Sequence, residues 1–237
     1  MIDALLPPAS LGGAIELILE PQSSNVTGGQ KVGGLDVVVE LMLNQLEVTV
    51  FALALATAIA LPIGLYLGHR GTGELFAVGL GNVGRAVPEL ALIALMVAVV
   101  GVGLLNLTIA LTILGIPPIL TNAFVGIRQV DRAPVDAARG IGMTEAEILF
   151  KVEMPLAVST LMAGIRSAAI AIVSTATIGP IAGVLTLGDF IINNGIYGES
   201  GLLAGGILVA LLALTLEFLL AQLQRLLTSR GLRLNEA

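Results

Sequence analysis

Apolar residues in this chain gather into long runs instead of alternating with polar ones. A membrane-spanning helix needs about 20 mostly apolar residues. Five stretches meet that length: 48–67, 75–100, 104–125, 156–181 and 202–223. The first and third carry no charge. The second contains Arg85, Pro88 and Glu89, the fourth Arg166, and the fifth Glu217. Pro62, Pro117 and Pro118 lie inside spans, where neighbouring helices cover the freed backbone groups. Ahead of the first span, 21–34 is rich in Gly, Ser, Asn and Gln and predicts a linker. Short interfacial helices are predicted on either side of it, at 11–20 and 35–44. One long polar stretch, 126–155, separates the third span from the fourth.

Composition turns this pattern into a class. Of 237 residues, 56% are hydrophobic and 12% charged, against about 25% charged in soluble domains. Mean hydropathy is +1.00. A soluble enzyme and a disordered chain are excluded. The net charge of −6 argues against nucleic acid as a partner. With no cysteine and a single histidine, His69, no catalytic residues, metal site or cofactor are expected. The fold class is therefore all-α integral membrane, with about five transmembrane helices in a lipid bilayer. The first twenty residues hold Asp3, Glu16 and Glu20 and no basic residue, unlike a secretory signal.

Basic residues mark the cytoplasmic side. Arg70, the group Arg128, Arg132, Arg139 and Lys151, and the group Arg225, Arg230 and Arg233 fall on one side of the five spans. The other side has only Lys31. This predicts a multi-pass protein of the cell membrane, with an outside N-terminus and a cytoplasmic C-terminus.

The polar stretch 126–155 lies on the cytoplasmic side by this argument. Pro134 suits the first position of a helix, and Gly140 and Gly142 end it. Thr144 and Glu147 have the spacing of a capping box, which predicts a second helix from Glu145 to about Val152. Two short helices with a glycine bend make a compact knob; an amphipathic surface loop is the plainer alternative. Within this stretch, Asp136-Ala137-Ala138, three residues, Gly142, nine residues and Val152-Glu153-Met154-Pro155 resemble the EAA motif of binding-protein-dependent ABC importer permeases. Asp136 stands where that family has Glu, and Val152 and Met154 where it has Ile and Leu. The segments 122–131, 162–166 and Leu187-Gly188-Asp189 resemble the osmoprotectant branch, which carries glycine betaine, choline and carnitine.

The resemblance spans about 46–230. It implies an extracytoplasmic lead over 1–45, a permease domain over 46–230 and a cytoplasmic tail over 231–237. It also implies that Asp136, Ala137, Ala138, Gly142, Val152, Met154 and Pro155 form an ATPase-coupling element. Small Ala137 and Ala138 would let the first helix dock closely, and Asp136 would sit near its first turn. The chain has no Walker A pattern, so ATP hydrolysis is assigned to a partner. The implied partners are two ABC ATPase subunits, a second permease copy or related permease, and an extracytoplasmic substrate-binding protein. Alternative cargo such as an amino acid, and an ATP-independent secondary transporter, are the rival readings. Polar residues within spans are costly and often functional. Asn82, Arg85, Glu89, Asn122 and Arg166 are accordingly candidates for the translocation path. Arg85 and Glu89, four apart, would share a helix face.

Overall fold

A computed structural model describes residues 10–23 and 31–228, apart from the side chains of Val83 and Arg85. The helices are α1 (Leu11–Leu19), α2 (Leu35–Arg70), α3 (Glu74–Ala86), α4 (Glu89–Val100), α5 (Leu104–Arg128), α6 (Arg132–Gly140), α7 (Glu145–Ile148), α8 (Met154–Leu156), α9 (Val158–Thr175), α10 (Asp189–Ile192) and α11 (Asn194–Leu227). A π turn, Leu149–Glu153, joins α7 to α8, and a 3₁₀ turn, Ala176–Ala182, extends α9. Strands β1 (Pro21–Ser23) and β2 (Lys31–Gly33) pair antiparallel, Gln22 opposite Val32. The predicted linker is thus partly a hairpin; its turn, 24–30, lies outside the described residues, as do 1–9 and 229–237 with Arg230 and Arg233.

Four segments are long and apolar enough to cross a membrane: Leu35–Arg70, Leu104–Arg128, Val158–Ala182 and Asn194–Leu227. The predicted helix at 35–44 is no separate element but the start of α2. At 36 residues, α2 extends about 54 Å, well beyond the roughly 30 Å hydrocarbon core. The remaining predicted span is broken. Proline disfavours a helical residue before it; Val87 is extended (φ −74°, ψ 121°) and ends α3, and α4 starts after Pro88. Arg85 and Glu89 therefore lie on different helices, and the shared face expected of them is lost.

The chain divides into two compact units. The first comprises 1–51, 89–111 and 173–215; the second comprises 52–88, 112–172 and 216–237. In the second, α5 is the element against which the others pack. Gly64 and Gly68 of α2 sit on its backbone: a Cβ at Gly68 would stand 2.9 Å from the Phe124 carbonyl oxygen. Gly164 of α9 approaches it equally closely, 2.9 Å from the Pro118 carbonyl. Small residues permit such approach where no hydrophobic force drives helices together. Ala56, Ala60, Ala77, Ile119, Leu120, Phe124 and Ala168 form the enclosed core of this unit.

In the first unit, α1 packs Ala14 and Leu17 inward and leans on the hairpin. The fully buried Gln45 of α2 makes two long-range bonds. Its Nε2 donates to the Val173 carbonyl (2.9 Å), and its Oε1 accepts from the Leu187 amide (3.0 Å). Asp189 accepts from the Asn193 amide (2.5 Å) and the Tyr197 hydroxyl (2.7 Å). Phe190 and Tyr197 stack at 4.6 Å. Leu187-Gly188-Asp189 is thus a structural corner: Leu187 is buried, and Gly188 abuts the Thr177 carbonyl with no room for a Cβ.

Candidate coupling site

The stretch 131–155 folds as the predicted two-helix knob. Asp131 caps α6, its carboxylate accepting from the Ala133 amide at 3.1 Å. The helix thus begins two residues before Pro134, the predicted start, which leaves Asp136 in the second turn instead of the first. α6 ends at Gly140, and Gly142 turns the chain with φ +84°. This conformation is open to glycine and strained for other residues. The capping box forms: the Glu147 amide donates to Thr144 Oγ1 (3.3 Å), and the Thr144 amide donates to Glu147 Oε2 (3.1 Å). Lys151 Nζ reaches Glu147 at 2.8 Å. These bonds, Lys151 foremost, hold the Glu147 carboxyl down to about 2. Arg139 bonds Glu145 through Nε and Nη2 at 3.3 and 3.2 Å. That pairing raises the guanidinium and lowers the carboxyl.

Sequence reasoning extended the second helix to about Val152. The chain instead widens into the π turn after Ile148, with Met154 N–H bonding Leu149 O. Pro155 has no N–H for the Lys151 carbonyl, so regular α-helical bonding fails there.

Val135, Ala138 and Ile148 form the interior of the knob, with Val130, Met143 and Val152 packed around them. Ala138, 5% exposed, faces this interior, which corrects its assignment to a docking face. Met154 packs instead on Leu65, Ala123, Ile127, Ala157 and Leu161. Asp136, Ala137, Gly142 and Pro155 are exposed. Two large apolar side chains that sequence reasoning passed over are exposed as well, Ile141 at 81% and Phe150 at 57%. Their signal was available: apolar residues in an otherwise polar loop, off its internal helical stripe.

The candidate path residues are not gathered into one constellation by any described contact. Asn122 donates back to the Pro118 carbonyl (2.8 Å) and is pressed by Gly164. Arg166 binds Glu217 and, at 2.8 Å, Gln224 Oε1. Glu217, which has no basic residue four positions on, thus finds its partner on another helix, α9. Glu89 accepts from the Thr175 hydroxyl at 2.6 Å. Asn82 is exposed. Arg85 belongs to α3, its side chain outside the described set.

Over residues 60–231 the sequence matches the family described as binding-protein-dependent transport system inner membrane component. The chain belongs to that family. It is 38% identical over 191 residues to the carnitine transport permease protein OpuCB of Listeria monocytogenes, covering 80% of this chain and 88% of that one. To the choline transport system permease protein OpuBB of Bacillus subtilis it is 34% identical, with the same coverage. The fold matches a chain of the MetNI methionine ABC transporter in an inward-facing conformation, with TM-score 0.72 and 22% identity. That match covers 82% of this chain and 98% of the other. The chain is a multi-pass permease subunit of an ABC importer, which works with ATPase and substrate-binding partners. This excludes the ATP-independent secondary transporter.

Proposed function

We propose that this permease passes quaternary-ammonium osmoprotectants of the glycine betaine, choline and carnitine class, and that knob 131–155 is the element through which ATPase motion reaches the spans. The cargo is supported by relatives named for carnitine and choline that cover four-fifths of the chain. The knob is supported by one observation above the others. Its interior is closed by its own apolar cluster, yet Ile141 and Phe150 remain exposed on it. Exposed apolar side chains on a self-contained unit favour contact with a partner.

In this reading two permeases, identical or related, meet two ATPases at their knobs. ATP hydrolysis resides on the ATPases. The lead 1–45 and the N-terminus face outward, towards an external binding protein, and the permease domain 46–230 and tail 231–237 end in the cytoplasm. Asp136, Ala137 and Pro155 lie on the docking side; Ala138 and Val152 hold the knob in shape, Met154 anchors its end on α2, α5 and α9, and Gly142 turns it. Asn82, Arg85, Glu89, Asn122 and Arg166 remain candidates for the path. The chain has no cysteine, so single cysteines report cleanly. Ala137→Cys should cross-link to the ATPase in the assembled complex. On intact cells an impermeant thiol reagent should label Ser23→Cys and not Ala146→Cys. Absence of the cross-link defeats the coupling assignment, and reversed labelling defeats the orientation. Reconstituted transporter should take up radiolabelled carnitine or choline; uptake of methionine or histidine in their place would overturn the cargo.

A further inference from the structure

His69 is the penultimate residue of α2 and the chain's only histidine. Its side chain is 9% exposed, and each ring nitrogen faces a carboxylate of the knob. Nδ1 lies 2.6 Å from Glu153 Oε2, in the π turn, and Nε2 lies 3.1 Å from Glu145 Oε2, on α7. Glu145 is held in turn by Arg139 of α6. Four side chains therefore run Arg139–Glu145–His69–Glu153, linking α6, α7, α2 and the π turn. Ionised carboxylates only accept, an imidazolium donates from both nitrogens, and a neutral ring donates from one. Glu153, only 4% exposed, is a buried carboxylate that needs such a donor. Arg70 and Tyr66 of the same helix end line one cleft with His69, Arg139 and Glu145. Arg128, at the end of α5, approaches the chain at Gly71. The post that carries His69 is firm, since the adjacent Gly68 sits directly on the α5 backbone.

We propose that His69 is a positioning residue for coupling. It struts the knob against α2, so that a push on the knob moves α2 instead of being absorbed at Gly142 and the π turn. The proposal rests on the knob being the coupling element.

The test uses the complete transporter in liposomes, with carnitine-loaded binding protein as stimulus. His69→Ala should leave assembly and unstimulated ATP hydrolysis intact, while stimulated hydrolysis and uptake fall about tenfold, within the range of coupling-network substitutions. His69→Gln, whose amide still donates to Glu153, should restore most of the loss. Should His69→Ala fail to assemble, Glu145→Ala decides. It removes one of the two acceptors at an exposed position, so assembly should hold while stimulated hydrolysis falls towards the unstimulated rate. Wild-type coupling in His69→Ala overturns the strut; so does a His69→Gln variant no better than His69→Ala, and so does wild-type coupling in Glu145→Ala where His69→Ala fails to assemble. With the Ala137→Cys cross-link present, such a result defeats the strut alone; without the cross-link, the coupling reading itself falls.

Discussion

Two segments that interrupt the long helices, the knob at 131–155 and the corner at 186–201, are held in opposite ways. The knob's outer bonds are charged and wet: Arg139 to Glu145 and Lys151 to Glu147, all between partly or fully exposed side chains. The corner's bonds are mostly neutral and dry. Gln45 meets the Leu187 amide, Thr186 Oγ1 donates to the Ala176 carbonyl at 3.0 Å, and Tyr197 donates to buried Asp189. Water can replace a partner lost in the first region but not in the second. Exposed ion pairs contribute about 0–1 kcal/mol each, whereas a buried polar group left without its partner costs about 1–3 kcal/mol. The knob should therefore tolerate change at its surface, and the corner should not.

The comparison breaks most visibly at a pair of glycines. Gly188→Ala puts a methyl group into the Thr177 carbonyl, and no flexible side chain is there to yield. The expected result is loss of folded permease from the membrane. Gly142→Ala meets no atom within 4 Å, and its cost is that of a positive φ, about 1–2 kcal/mol. That variant should reach the membrane and assemble. Membrane abundance and detergent-resistant assembly of the two variants, measured side by side, check the contrast. Equal abundance would remove it.

A smaller loss is expected at Gln45. Gln45→Leu keeps the volume roughly and strands the Val173 carbonyl and the Leu187 amide, at about 1–3 kcal/mol for each group. Thermal unfolding of the purified transporter should shift clearly downward. Gln45→Glu in its protonated form keeps an acceptor for the Leu187 amide and an O–H donor for the Val173 carbonyl, so it should unfold closer to wild type than Gln45→Leu.

The same contrast explains what could be read without coordinates. The knob's elements were legible because their causes are local: the capping box spans Thr144 to Glu147, and the bend is one glycine, Gly142. Which alanine faces inward was not legible, because Ala137 and Ala138 differ only in their angle to Ile148 across the bend. The corner was legible only as a motif, Leu187-Gly188-Asp189, since its partner Gln45 lies 142 positions away. The partner of Glu217 was not legible for the same reason: Arg166 is 51 positions distant, beyond any helical spacing. The broken span showed its cause, Pro88, but length alone does not separate a kinked helix from two helices.

Within the knob, inside and outside are separable by one charge placed at adjacent positions. Ala138→Glu buries an unpaired carboxylate among Val135 and Ile148, and should disrupt the knob and raise its protease sensitivity. Ala137→Glu places the same charge in solvent, so the knob should stay intact while the transporter loses ATPase binding. Limited proteolysis and co-purification of the ATPase distinguish the two. The reverse pattern would return Ala138 to the docking face.

The smallest effect expected is the pH response of the capping box. The Glu147 carboxyl is lowered from 4.5 to about 2, first by Lys151 and then by Thr144. A depressed acid stabilises the folded form above its ordinary value, and the contribution fades as pH falls from there towards the folded value. The knob's second turn should therefore be tightest at neutral pH and loosen between about pH 4.5 and 2. A nitroxide label at Ala146→Cys, on the exposed side of α7 in the assembled transporter, should gain mobility over that interval. Glu147→Gln removes the titrating group, so the label there should be more mobile at neutral pH and change less on acidification. An identical acid response in both proteins would show that the turn is held by its apolar residue Ile148 and not by the cap. The knob would then resemble the corner more closely than its surface charges suggest.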